Sequence, residues 1–376
     1  MRFQSGRRRQ EPGAWVRTKK RTVSRVSAPT VYDVAERSGV SIATVSRVYR
    51  TPGSVRDRTR ERVLEAAREL GYVPSGNARG LASRTTGVLG LCFPDYADPD
   101  AEADAEADSD ADDAAMLYSD QIIRGMERAA RRHGYALLIA ASLEGGPESL
   151  VAKVAGRVDG FAVLAQTVPT EDLEVISRRL PVVMLAGPRE IDHLDHVVVA
   201  NADGERELAR HLIEDHGLRR LAFVGGDPES PDAEARFRGF RQACGDAGLP
   251  VPEAPDLRTA MMTRAEGARA AETLLDRGSE RPAAMLFAND QMAVGALRAL
   301  ERRGVRVPED IAVTGFDGIP LSRIVRPSLT TVRQPIRQLG EQAVELLVQR
   351  LADANRPPVS LELPVSPAHR ASCGCG

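Results

Sequence analysis

Two groups of residues in this chain have types and spacings that can do chemistry. The first lies in Pro29–Arg50, PTVYDVAERSGVSIATVSRVYR. Arg47 can donate paired hydrogen bonds to a guanine edge, and Ile42 and Ala43 offer apolar contact of the kind a thymine methyl accepts. Ser41, Thr44 and Ser46 are short hydroxyl donors suited to phosphate, which positions a protein on a duplex without reading it. The second group stands at the ends of apolar runs: Phe93 and Asp95 after GVLGLCF, Asn289 and Asp290 in FAND, Asp317 in GFD, and Gln334 in RQP. Amides and carboxylates converging on a cleft can bond the vicinal hydroxyls of a sugar. No GxSxG, HExxH or Walker glycine loop occurs, and no GxGxxG follows a strand, so the motifs of hydrolases, zinc peptidases, nucleotide triphosphatases and dinucleotide enzymes are missing.

The elements that must hold the first group are short helices. Val31, Val34 and Ala35 recur at helical spacing, predicting a helix over 30–37 with Thr30 as its N-cap. Gly39 permits the turn that ends it, and Ser41 can cap a second helix to about Tyr49 whose Val45 and Val48 face back to the first. SVRDRTRERVLEAARELGYVP then reads as a third helix with Val63, Ala66, Ala67 and Leu70 on one face. Two short helices around a glycine turn make a helix-turn-helix, whose second helix enters the major groove of DNA.

From Gly87 the pattern changes to near-continuous apolar strands alternating with amphipathic helices, among them GVLGLCF, YALLIAA, DGFAVLA, PVVMLA, HVVVA, RLAFVGG, AAMLFAND, IAVTGFD and LTTVRQP. Such alternation means parallel sheets covered on both faces, with ligands at the carboxyl ends of the strands. Asp203 and Gly204 in NADG are expected to cap the helix that follows HVVVA, and Asn289 and Asp290 to cap QMAVGALRAL.

Length and charge fit this division. The 376 residues suffice for two or more domains, and 42% hydrophobic residues supply a core. The net charge of −2 hides a segregation: residues 1–29 balance at +8, residues 30–86 at +4 and the remainder at −14. A basic front on an acidic body suits a protein that meets phosphate at one end. No apolar run approaches the roughly 18–20 residues of a membrane span, and neither a secretory signal nor a cysteine framework is evident, so a cytoplasmic protein is expected. Residues 95–115 carry ten acids and no base, a composition that cannot build a core. That stretch lacks the central Gly and terminal Glu of a calcium loop.

The ordered motifs YDVAERSGVS, TVSRV, TRERVLEAARELGYVP and NARGLAS, with matches continuing to about residue 370, resemble the lactose-repressor (LacI/GalR) family of bacterial transcription regulators. The resemblance implies an all-α helix-turn-helix headpiece with a hinge helix, followed by an α/β core of two parallel-sheet subdomains like periplasmic binding proteins. The expected division is a disordered basic tail (1–29), the headpiece (30–73), the hinge (74–86), the core (87–370, with an acidic insertion at 97–115) and a tail (371–376). By resemblance, Ile42, Ala43 and Arg47 read bases, Thr30 adds a contact, and the hinge enters the minor groove with Leu81 as a wedge beside Asn77, Ala78 and Arg79. Gly76 and Gly80 favour a hinge ordered only by its partner. The family commonly has Ser before the third helix; here Arg56 stands there, so the cap is expected to pass to Ser54 or Asp57. Arg236 falls where relatives place an effector-contacting arginine, with Phe93, Asp95, Asn289, Asp317 and Gln334 completing the candidate effector site. Met262 replaces an aromatic frequent in sugar-binding relatives, although Phe93, Phe161 or Phe316 could stack instead.

The combined expectation is a transcriptional regulator, most simply a repressor. It acts as a homodimer on a palindromic operator in double-stranded DNA and is controlled by a small-molecule effector, a sugar or a derivative of one. A purine or a protein corepressor is the alternative effector, and a solute-binding protein without DNA function is a remote alternative that the complete headpiece disfavours. No cofactor or metal is expected. Cys92 and Cys244 read as buried apolar groups; Cys373 and Cys375, two residues apart in CGC, could hold a metal, but no other ligand cluster is expected nearby. His193 and His196 read as loop residues. Replacing Arg47 with Ala should weaken the specific operator by about 1–3 kcal/mol and relax choice at one base pair. Gel-shift titration of specific and random duplexes checks this; an equal loss on both would reduce Arg47 to a phosphate contact.

Overall fold

A computed structural model describes residues 28–73, 85–94, 117–142, 154–165, 167–187, 193–278 and 281–376. Asn77, Ala78, Arg79, Leu81, Asp95, most of the basic tail and all of the acidic insertion lie outside the described residues. The chain divides into two compact units, Met1–Ala78 and Arg79–Gly376.

The first unit holds α1 (Val31–Ser38), α2 (Ile42–Arg50) and α3 (Asp57–Leu70). Thr30 begins α1 in a capping box: the Asp33 carboxylate accepts from the Thr30 N–H at 2.6 Å and from its hydroxyl at 2.7 Å. Gly39 ends the helix at φ 65°, a left-handed conformation that favours glycine. Ser41 Oγ accepts from the Thr44 N–H at 3.2 Å and so caps α2. Val34, Val45 and Val63 are fully buried where the three helices meet, with Ala35, Val48, Ala66 and Ala67 around them. The expected cap of α3 is corrected: Arg56 is the N-cap residue, through its carbonyl alone. Ser54 has donated its hydroxyl to the Thr51 carbonyl at 2.7 Å in the short 3-10 turn Pro52–Ser54, and Asp57 lies inside the first helical turn, paired with Arg60 at 2.8 Å.

The second unit runs β1 (Val88–Pro94), α4 (Leu117–Arg132), β2 (Ala136–Ser142), β3 (Gly160–Leu164), α5 (Thr170–Ser177), β4 (Val182–Leu185), β5 (Asp195–Val199), α6 (Asn201–Glu214), β6 (Leu221–Gly225), α7 (Pro231–Asp246), β7 (Leu257–Arg258), α8 (Arg264–Leu275), β8 (Ala284–Phe287), α9 (Asp290–Arg302), β9 (Ala312–Asp317), β10 (Thr330–Arg333), α10 (Ile336–Ala352), β11 (Ser360–Leu363) and β12 (Ser366–Ala368). Two six-stranded sheets result, in the orders β11-β5-β4-β3-β1-β2 and β12-β10-β9-β8-β6-β7. All pairings are parallel except β10 with β12. The chain passes between the lobes after β5, after β10 and between β11 and β12, which places Asn201 and Gln334 beside two of the three crossovers.

Two local expectations fail. Helix α6 starts at Asn201 with Ala200 as N-cap, so Asp203 and Gly204 lie within its first turns instead of capping it. Gly204 is there for space: a Cβ would come within 2.6 Å of Val365 and 2.8 Å of Val332. His196 is a buried residue of β5, while His193 does lie in a turn, where Ser177 Oγ and its Nε2 are 2.9 Å apart.

The first lobe is fastened by a buried carboxylate. Asp195, 1% exposed, accepts from Arg350 at 3.0 Å, Arg356 at 2.6 Å and the Val359 N–H at 2.9 Å, tying β5 to the connection between α10 and β11. Removing one side of a buried ion cluster strands the other charges. Asp195→Ala is therefore expected to lower the unfolding free energy by about 3–5 kcal/mol in a urea titration; an unchanged midpoint would show that the cluster contributes no net stability.

Candidate functional site

Two surfaces bear on function, one in each unit. In the headpiece, Val45 and Val48 turn α2 so that Ser41, Ile42, Ala43 and Arg47 are exposed, with Thr44 and Ser46 half-buried. Ile42 is 41% exposed, a surface apolar group and not a core one. Ser41 and Thr44 hydroxyls lie 2.9 Å apart, which fixes both at the helix N-terminus. One outward face thus carries the guanidinium, two apolar side chains and the short hydroxyls, a composition able to contact base edges and phosphates.

In the core unit, Arg236 on α7 is 4% exposed and organises its neighbours. Its Nε donates to Asn201 Oδ1 at 2.8 Å, Nη1 donates to the Ala288 carbonyl, and Nη2 lies 3.4 Å from Asp317 Oδ1. Its guanidinium carbon sits 3.9 Å over the ring centre of Phe316. Asn201 Nδ2 donates onward to Asp232 Oδ1 at 2.9 Å, and Gln334 Nε2 donates to Asp317 Oδ1 at 2.7 Å. Asp317 holds φ at 116°, a strained conformation for a non-glycine residue that places its carboxylate against Arg236.

Arg236, Asp317 and Gln334 are therefore brought together. Asn289 is otherwise engaged as the cap of α9: its Oδ1 accepts from the Met292 N–H and its Nδ2 donates to the Met262 carbonyl, both at 2.9 Å. Asp290 is wholly interior, accepting from the Ile319 N–H at 2.9 Å and the Thr331 hydroxyl at 2.5 Å. Phe93 is buried in the core of the first lobe, Phe161 in a neighbouring apolar cluster, and Met262 packs beside Gly226.

A cavity of about 900 Å³ opens between the lobes, lined by Ala165, Leu173 and Met184 on one side and Pro231, Asp232 and Ala235 on the other, with Asn201. Phe93, Arg236, Asn289, Asp317 and Gln334 are not in its lining; Asn201 and Asp232 are, and their hydrogen bonds join the cavity to Arg236. Sequence reasoning missed both. The rule that found Asn289 and Asp317, polar residues at the carboxyl ends of strands, applies equally to Asn201 after HVVVA. Asp232 is the second residue of α7 and carries no such signal.

One cation faces several acids here. Burial pushes the Asp317 carboxyl up to about 7 against the opposing charge of Arg236. Burial raises Asp232 as well, and pushes Glu205 up to about 8 with Arg236 again opposing. Neither Glu205 oxygen has a hydrogen-bond partner among the described residues.

The CGC reading needs correction. Cys373 and Cys375 are not isolated: His211, at the end of α6, and His216, just past it, lie against them.

Comparison with known proteins fits this anatomy. The model of the bacterial regulatory proteins, lacI family, matches residues 30–75, and that of the periplasmic binding protein-like domain matches 209–373. The HTH-type transcriptional regulator DegA of Bacillus subtilis (strain 168) is 31% identical over 321 residues, covering 83% of this chain and 88% of DegA. The chain belongs to the lacI family of bacterial regulatory proteins. It is a DNA-binding transcriptional regulator and not an enzyme. Among solved structures, a lac repressor dimer bound to operator and the anti-inducer ONPF is 28% identical, with a TM-score of 0.75 over 92% of this chain and 99% of that one. A CelR–cellobiose complex is 29% identical with a TM-score of 0.64 over the same shares. No helix among the described residues is long and apolar enough to cross a membrane.

Glu205 offers a pH test of the site. Its folded value lies above the ordinary 4.5, so its contribution to stability is complete below that value and is lost as pH rises through about 8. Glu205→Gln, which cannot ionise, should raise the thermal midpoint by about 5 °C or more at high pH and change little near pH 5. Parallel midpoint curves for the two proteins would contradict the assignment.

Proposed function

We propose that this regulator is a repressor. A homodimer would bind a near-palindromic operator through residues 30–73 and the segment 74–86, and a neutral polyhydroxylated ligand, a sugar or sugar derivative, would control it by binding in the core between residues 87 and 370. The observation that carries the ligand class is the Asp232–Asn201–Arg236–Asp317–Gln334 chain reaching the interlobe cavity. Its groups both donate and accept, as hydroxyls require. The cavity lining itself carries Glu229, Asp232, Glu234 and Glu362 against Arg238, a surplus of acid that disfavours an anionic ligand. The cellobiose bound by the similar CelR supports the same class.

The DNA assignment rests on α2. Its exposed Arg47, Ile42 and Ala43 supply base contacts, and Ser41, Thr44, Ser46 and Thr30 supply backbone contacts. Ligand closing the lobes would move Asn201 and Gln334, at the crossovers, and pass to the operator through 74–86. The site of action is the cytoplasm, where such an operator lies.

The test begins with selection of the operator from genomic fragments. Cellobiose, other disaccharides and purine bases are then titrated, with thermal midpoint and operator affinity as readouts. A sugar should shift both, changing operator affinity by roughly 5–150-fold. Asp317→Ala should abolish the response while keeping operator affinity, and Asp317→Asn, which preserves shape, separates loss of charge from loss of fold. A response to purines alone would overturn the sugar assignment, and an undiminished response in a folded Asp317→Ala protein would remove Asp317 from the site.

A further inference from the structure

Far along α6 from Asn201, four soft ligand atoms converge in the second lobe. They are His211 Nε2, His216 Nε2, Cys373 Sγ and Cys375 Sγ, all within 4.8 Å of one another. The histidine nitrogens are 3.1 Å apart; Cys375 Sγ is 3.4 Å from each, and Cys373 Sγ is 3.7 Å from His211 Nε2. A zinc ion with bonds of about 2.3 Å to sulfur and 2.0–2.1 Å to nitrogen sets tetrahedral edges of roughly 3.3 Å between nitrogens and 3.8 Å between sulfurs. These four separations lie close to those edges before any ion is present, and the remaining pairs lie within 4.8 Å.

The surroundings suit a metal equally well. The Asp215 carboxylate, which only accepts, takes the His211 Nδ1–H at 2.7 Å and leaves the Nε2 lone pair directed into the cluster. This is the outer carboxylate that commonly orients a metal-bound imidazole. The His369 ring stands edge-on to His211 with centroids 3.7 Å apart, restricting its rotation from the other side. The Thr330 hydroxyl lies 3.1 Å from Cys373 Sγ, placed to donate to a thiolate. Gly374, at φ 99°, makes the turn that returns Cys375 to the same side as Cys373, against the His216 ring. The histidines follow the H-x4-H spacing common in structural zinc sites.

We propose that His211, His216, Cys373 and Cys375 form a structural zinc(II) site. Two thiolates and two imidazoles select zinc over hard cations, and four protein ligands leave no open position for catalysis. Binding fastens the segment after β12 to the end of α6, the helix whose other end carries Asn201. The metal thus stiffens the frame behind the interlobe site without touching the ligand.

The test uses the full chain, reduced, stripped of metal and kept under nitrogen, with Co²⁺ and then Zn²⁺ as probes. Co²⁺ should give a tetrahedral visible spectrum with a thiolate-to-cobalt band, saturating at one equivalent per chain and bleached by Zn²⁺. Because Cys92, Cys244 and Cys373 are buried, alkylation reports chiefly on Cys375; Zn²⁺ should slow it about tenfold or more, and Mg²⁺ should not. Cys375→Ser should cut the thiolate band to about half or less, and Cys375→Ser with Cys373→Ser should abolish it, each with an unchanged far-ultraviolet circular dichroism spectrum. A native chain that gives no tetrahedral cobalt spectrum, or thiols alkylated equally with and without zinc, would overturn the site, whatever the variants do.

Discussion

Arg236 is a cation with almost no access to water, and the interlobe region is arranged around satisfying it. An unpaired guanidinium at such depth costs several kcal/mol. Asn201 supplies an acceptor from the first turn of α6, Ala288 one from the end of β8, and Asp317 a carboxylate from the end of β9, while the Phe316 ring covers one face. One side chain therefore aligns several elements where their strands end. The strained φ of Asp317 is consistent with this constraint, since relaxing it would withdraw the carboxylate.

On the proposed reading, the same charge would let the region respond to a ligand. Asn201 and Gln334 stand at crossovers between the lobes, and both bond to the Arg236–Asp317 pair. Beneath them Leu208, Phe316, Val332 and Val365 form a small apolar cluster at the third crossover. A ligand that rearranges hydrogen bonds at Asn201 acts directly on the chain segments that set the relation of the lobes. Coupling then needs no long relay inside the core, only two discrete ways of satisfying one buried cation.

Much of this was legible in the sequence because it follows from period and capping. Val34, Val45 and Val63 announced the headpiece, and the near-continuous apolar strands announced the parallel sheets, since strands buried on both faces tolerate few polar residues. The misreadings share a cause: local chemistry was outweighed by tertiary demands. Gly204 resembles a cap but is there because Val332 and Val365 leave no room for a side chain, and His196 resembles a loop residue but is a buried member of β5. The short edge strands β11 and β12 carry too little apolar pattern to announce themselves. Asn201 and Asp232, and the meeting of His211 and His216 with Cys373 and Cys375, bring together residues distant in sequence, which only the fold could reveal.

On the proposed reading, ligand and operator act on one shared equilibrium. The most direct measurement is the dissociation constant of the ligand from the full-length regulator, free and saturated with operator, set beside the operator constant with and without ligand. Linkage requires the two ratios to be equal. A ratio of roughly 5–150 is expected in both directions, in keeping with a coupling of about 1–3 kcal/mol. A ligand affinity indifferent to operator would contradict it, because the Arg236 network would then hold a ligand without controlling DNA.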